Sequence, residues 1–210
     1  MPLILASTSP RRKELLALLQ VPFEVVEPKF DERIHAEIPP EAQAWTFALG
    51  KAQSCSQQHA GSLVLGSDTL IAVGETILGK PAERAQANAM LRRLRGREHR
   101  ICTAVALYDP ARKIQEVAVE TVQVWMRPFS DADLDAYLAT DEWRGKAGAY
   151  SIQGRGGSFI ERIEGDFTAA VGLPLRLTAS LLQKHGLSVP VDVEQLYRTK
   201  PYPNWSTFQR

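Results

Sequence analysis

The stretch that most constrains this chain is Leu63-Val-Leu-Gly-Ser-Asp-Thr-Leu-Ile-Ala-Val73. It is the strongest apolar strand pattern in the sequence, and Gly66-Ser67-Asp68-Thr69 interrupts it. A run this apolar belongs in the interior of a sheet. An unpaired buried charge is expensive, so Asp68 has a reason to be there other than stability. Gly66 and Ser67 beside it leave room for a ligand to approach. Asp68 reads as a general base or a metal ligand; the alternative is a strand-end Asp capping a turn.

A second stretch supplies the opposite charge. Leu3-Ile-Leu-Ala-Ser-Thr-Ser-Pro-Arg-Arg-Lys-Glu-Leu-Leu reads as a short buried strand, a small-residue loop and a helix over about Pro10–Leu19. Ser9 suits the N-cap and Pro10 the first helical position. Arg11, Arg12 and Lys13 then fall in the first turn, the positive end of the helix dipole. Cations are disfavoured there unless an anion docks, so Ser7–Lys13 reads either as a phosphate site or as a basic helix start without a ligand.

The other elements are coarser. Phe23–Glu27 reads as a strand, and Pro39-Pro40 opens a helix running to about His59. Gly74-Glu75-Thr76 is a hairpin turn, and a helix spans about Ala82–Leu94 with Gly96 closing it. Strands follow at Arg100–Tyr108, Ile114–Val119 and Thr121–Met126, then a helix from Ser130 to about Thr140. A glycine-rich segment over Gly145–Gly157 precedes a strand at Ser158–Glu164, and a last long helix runs from Gly172-Leu-Pro174 to about His185. Helices interspersed with strands and hairpins give a mixed α/β sheet.

Six further residues bear on the site. Asp31 and Glu32 are a second carboxylate pair able to bind Mg²⁺ beside a polyphosphate, or simply a solvated turn. Lys51, at the edge of an apolar helix face, and Lys80, in Gly79-Lys80-Pro81, are phosphate contacts or ordinary lysines. Tyr150 and Gln153 supply an aromatic face and an amide for a base, or lie in a flexible loop with Tyr150 packed in the core. His35, His59, His99 and His185 have no metal-ligand spacing and read as surface or capping side chains.

Global properties exclude several classes. The net charge of +1 makes no electrostatic case for nucleic acid or an anionic membrane. No apolar run approaches the ~20 residues of a spanning helix, and no signal peptide is expected, since Leu3–Ala6 is too short for an apolar leader core and the positive charges follow it. The expected location is the cytoplasm. The two cysteines, Cys55 and Cys102, lack metal spacing and read as buried thiols.

Seven pieces in order carry a resemblance: Leu5-Ala-Ser-Thr-Ser-Pro-Arg-Arg-Lys-Glu-Leu-Leu, Phe30-Asp-Glu, Gly50-Lys-Ala, Gly66-Ser-Asp-Thr, Gly79-Lys-Pro, Lys146-Ala-Gly-Ala-Tyr-Ser-Ile-Gln-Gly and Val171-Gly-Leu-Pro. Together they resemble the Maf-type nucleoside triphosphate pyrophosphatases, over about residues 3–186. The resemblance implies an α/β fold with a mixed twisted sheet flanked by helices, two lobes and a deep cleft, like the inosine triphosphate pyrophosphatases. It implies hydrolysis of a nucleoside triphosphate to monophosphate and pyrophosphate with a divalent cation, Mg²⁺ or Mn²⁺. Asp68 is then the proton acceptor, with Glu32 and Asp68 as metal ligands. Arg11, Thr69 and Gln153 match specificity positions; Lys51, Lys80 and Ser7 match other substrate contacts, while Arg12 and Lys13 are only supporting charge.

Ser-Pro-Arg-Arg with Ala-Tyr-x-Ile-Gln-Gly resembles the branch acting on dTTP and UTP. Cytoplasmic homodimers are implied, with no nucleic-acid or membrane partner. The domain is expected over residues 1–187, with 188–210 as a C-terminal extension. The chain departs from the pattern at Arg95, at Trp143-Arg144-Gly145 and in that extension. The rival reading is a non-catalytic nucleotide-binding division regulator, which has no need of Asp68.

Overall fold

The computed structural model describes residues 1–209. Seven strands form one mixed sheet: β1 (Leu3–Ala6), β2 (Phe23–Val26), β3 (Leu63–Val73), β4 (Thr76–Leu78), β5 (Glu98–Asp109), β6 (Ile114–Met126) and β7 (Ile160–Glu164). Their order is β2-β1-β3-β5-β6-β7, with β4 beside β3. β1 runs parallel to β2 and β3; the other pairs are antiparallel.

Alternation divides the core. Leu3, Leu5, Leu63 and Leu65 face the larger cluster, which includes Leu15, Leu16, Leu91 and Leu182. Ile4, Ala6 and Val64 face the smaller one, against Ala44, Phe47, Ala48 and Ala52. These last four lie on α2 (Pro40–Ser56). The other helices are α1 (Pro10–Ala17), α3 (Arg84–Leu94), α4 (Asp131–Leu138), α5 (Phe167–Val171), α6 (Leu175–Lys184), α7 (Val193–Thr199) and α8 (Trp205–Phe208). No helix among the described residues is long and apolar enough to cross a membrane.

Two expectations about strands need correction. β3 is unbroken from Leu63 to Val73, because β5 pairs with it continuously from Val64 to Ala72. The two strands expected over 114–126 are one, because β6 pairs without a gap against β5 from Ile114 to Trp125. Local polarity at Gly66–Thr69 and at Glu120 signals breaks that cross-strand hydrogen bonding overrides.

The interruption nevertheless has a counterpart on the other edge of β3. β1 pairs with Leu63–Gly66 and β4 with Ile71–Val73. Ser67 through Leu70 therefore have no strand neighbour on that side. The sheet is notched at the carboxyl end of β1, where ligands bind in open α/β sheets.

Candidate active site

Strand parity puts Asp68 on the face that carries Val64 and Leu70, the face covered by α2. Two glycines let that helix and its neighbouring loop close. A Cβ on Gly66 would stand 2.2 Å from the Ala48 carbonyl oxygen and 2.9 Å from the Ala52 nitrogen, so α2 lies directly on bare β3 backbone. A Cβ on Gly50 would stand 2.1 Å from the Phe30 ring, so the loop carrying Glu32 packs on bare α2. Both close approaches converge on Lys51.

The Lys51 ammonium is buried, 2.5 Å from Asp68 Oδ1 and 2.5 Å from Glu32 Oε1. Lys80, more exposed, reaches Glu32 Oε2 at 3.5 Å. Burial alone would raise the Glu32 carboxyl pKa; the Lys51 charge and hydrogen bond, with Lys80, hold it below the usual range. Asp68 Oδ2 is buried without a hydrogen-bond partner. Asp31, the other half of the expected Asp31–Glu32 turn pair, faces out and pairs with Arg33 at 2.7 Å on the surface.

These groups line a cavity of about 700 Å³, within the range of small-molecule sites. Arg11, Arg12, Lys51, Lys80 and Lys146 contribute five cations to its wall against the carboxylates of Glu27, Glu32 and Asp68. Burial lowers the pKa of both Arg11 and Arg12, and burial with the nearby Arg11 charge lowers that of Lys146. An anion in the cavity relieves that strain on charge.

Arg12 is more than supporting charge, which corrects the sequence reading. Its Nε donates to Gly172 O at 3.0 Å and its Nη2 to Thr69 Oγ1 at 3.1 Å. Its Nη1 reaches Ser7 Oγ at 3.5 Å. Arg12 thus ties α1 to β3 and to the turn after α5. A signal was present: Arg12 is one turn before Leu15 and Leu16, the buried face of α1. Lys13, by contrast, is exposed.

Thr69 and Ser7 line the cavity, but both serve Arg12, and the Thr69 and Thr103 hydroxyl oxygens lie 3.0 Å apart. Arg11 points elsewhere, donating to Ser151 Oγ at 3.3 Å. Ser151 and Ile152 form part of the wall; Gln153 lies just beyond it, its side chain approaching the Tyr202 hydroxyl. Lys146 and Ser151 were not singled out by the sequence, since a glycine-rich segment gives no period from which to assign a face.

Tyr150 is packed in the core with only part of it on the cavity, and its hydroxyl lies 2.7 Å from His99 Nε2. His99 is therefore buried rather than a surface or capping residue. Burial lowers its pKa to about 4. Cys55 and Cys102 are buried and free. Of the departures, Arg95 binds Asp131 and the Phe129 carbonyl, and Trp143 is a core residue whose Nε1 donates to Leu138 O at 3.1 Å.

The residues present fit a divalent cation in one respect. No three His, Cys, Asp or Glu side chains among the described residues form a metal-binding group. Yet Asp68 and Glu32 meet at one point, and Asp68 has a carboxylate oxygen to spare. One or two carboxylates suffice for Mg²⁺ when phosphates and water complete the shell.

The fold and cavity define an α/β protein with a cationic small-molecule site organised around a buried carboxylate–lysine pair. Comparison with known proteins narrows the class. The family described as Maf-like protein matches residues 2–185. A protein of Bacillus velezensis named dTTP/UTP pyrophosphatase is 40% identical, over 88% of this chain and 97% of that protein. Proteins of the same name from Symbiobacterium thermophilum and Myxococcus xanthus are 44% and 43% identical, over 89% and 90% of this chain and 95% and 94% of theirs. Among solved structures, the Staphylococcus aureus Ham1 protein matches with a TM-score of 0.43 at 16% identity, over 95% of this chain and 97% of that one. The chain belongs to the Maf family.

Proposed function

We propose that this chain is a nucleoside triphosphate pyrophosphatase that hydrolyses dTTP and UTP to the monophosphate and pyrophosphate. The observation that carries the reading is Asp68: Lys51 holds one carboxylate oxygen while the other has no partner, at the wall of a cation-rich cavity. Full-length relatives at about 40% identity that bear the name dTTP/UTP pyrophosphatase support the substrate.

Water attacks the α-phosphorus and Asp68 accepts its proton. The bond to the bridging oxygen breaks and pyrophosphate leaves. Lys51 orients Asp68 and, with Arg11 and Lys80, offsets charge on the phosphates; such electrostatic positioning carries most phosphoryl transfer. Asp68 and Glu32 would hold Mg²⁺ or Mn²⁺, which when bound neutralises triphosphate charge. Arg11, Thr69 and Gln153 are the specificity positions: Thr69 acts through Arg12, and Gln153 through the wall formed by its neighbours. Residues 1–187 form the catalytic unit and 188–210 an extension, in a cytoplasmic homodimer without nucleic-acid or membrane partners.

Pyrophosphate release from a panel of nucleoside triphosphates, with and without Mg²⁺ or Mn²⁺, tests the reading. The expected result is metal-dependent release, fastest from dTTP and UTP. Tight dTTP binding without release would overturn it in favour of a non-catalytic nucleotide-binding regulator.

A further inference from the structure

The tail that follows α6 lies outside the residues matched to the family, which end at 185. It returns to the loop that forms one wall of the cavity. Trp205 is fully buried and stacks on Phe167, with centroids 5.7 Å apart. The Tyr197 hydroxyl donates to Asp166 Oδ2 at 2.6 Å. These contacts help dock the tail on α5.

Two residues between them do something else. Asn204 takes a left-handed conformation, φ 65°, and its Nδ2 donates to the carbonyls of Ile152 and Gln153, both at 3.1 Å. Both donors of the amide thus go to the loop that forms the cavity wall. The Glu142 carboxylate accepts from the N–H groups of Arg155 at 3.0 Å and Gly156 at 3.3 Å on the same loop. Tyr202 donates to Glu14 Oε2 at 2.6 Å. Glu14 stands three residues after Arg11 on α1, a neighbouring position on that helix. Arg11 itself reaches across to Ser151 on the same loop. The tail therefore touches both walls whose separation Arg11 spans.

We propose that the tail supplies positioning residues to the nucleotide site: Asn204 fixes the backbone of Ile152 and Gln153, Tyr202 fixes the turn of α1 that carries Arg11, and together they set the grip of Arg11 and the loop on the substrate. This rests on the pyrophosphatase reading above. Neither residue touches the reacting atoms, so their loss weakens substrate binding more than turnover.

Three variants separate positioning from docking. Asn204→Gly keeps the left-handed backbone and removes the amide. Asn204→Asp keeps the shape but turns an oxygen toward two carbonyls. Tyr202→Phe removes one hydroxyl. With dTTP, KM is expected to rise about fivefold for Tyr202→Phe, which loses one hydrogen bond worth ~1 kcal/mol, and further for Asn204→Gly, which loses two, and for Asn204→Asp. The kcat is expected to stay within about twofold, and hydrogen exchange over 151–157 to quicken in both Asn204 variants while thermal midpoints move little.

Unchanged KM in all three folded variants would overturn the assignment. So would a fall in kcat and thermal midpoint with KM intact, the signature of a docking role alone. A wild type that releases no pyrophosphate would overturn the parent reading instead. The dTTP dissociation constants of the same proteins by calorimetry then decide the positioning role: the same order of weakening sustains it, and equal affinities refute it.

Discussion

The cavity has two corners built in different ways. Lys51, Asp68 and Glu32 meet where α2 lies on β3, with glycine backbone at both contacts. Arg11 and Ser151 meet between the start of α1 and an irregular loop, whose backbone is held by the side chains of Glu142 and Asn204. Lys51 and Asp68 of the first corner are fixed by regular elements, and Glu32 reaches them from a loop packed on Gly50. The second depends on individual hydrogen bonds from distant parts of the chain. The contrast suits a division of labour: a rigid corner for the reaction, an adjustable one for recognition.

Breaking the rigid corner has the largest effect. Lys51→Met leaves two carboxylates facing each other without their cation. Turnover is expected to fall by at least ~10³, and stability by roughly 3–5 kcal/mol, the range for breaking a buried pair. Denaturant unfolding beside pyrophosphate release measures both; a variant as stable as the parent would show that Lys51 serves chemistry only.

The floor beneath the second corner is pH-sensitive through His99. Its pKa is lowered from 6.5 to about 4, so the folded protein binds fewer protons than the unfolded chain between those values. Stability is complete above about pH 6.5 and declines as pH falls toward 4, by about 3 kcal/mol. His99→Gln is expected to flatten the thermal midpoint between pH 6.5 and 4. Glu32 acts in a separate window: its lowered pKa adds stability above about 4.5, lost as pH falls below it.

Arg12 joins the two corners, so its effect falls between them. Arg12→Lys keeps the charge but loses the fork that spans Gly172 and Thr69. A loss of about tenfold in kcat/KM is expected, one charge-assisted hydrogen bond at ~1.5 kcal/mol. At the small end, Asp31→Ala is expected to leave kcat/KM within about twofold, because an exposed pair with Arg33 is worth little. A tenfold loss there would place Asp31 in the site beside Glu32.

The two corners also differed in how far the sequence exposed them. Asp68 was legible because a charge in an apolar strand is anomalous, and Lys51 because it sits at the edge of a patterned helix. Their meeting was not, since it depends on α2 closing on Gly66. Arg12 and His99 carried periodic signals that their neighbours hid. Arg12 shares the inward face of Leu15 and Leu16, and His99 the alternation of Ile101, Val105 and Leu107. Ser151, Lys146 and Asn204 had no such signal, because loops held by side chain to backbone contacts have no period to read. In the strands, Gly66–Thr69 and Glu120 suggested breaks that the pairing with β5 does not show.

We propose that the rigid corner does the chemistry through Asp68. Steady-state pyrophosphate release from dTTP by Asp68→Asn tests it most directly, with circular dichroism confirming the fold. A fall of about 10³ in kcat is expected while KM changes only a few-fold. A kcat within tenfold of the parent would contradict it.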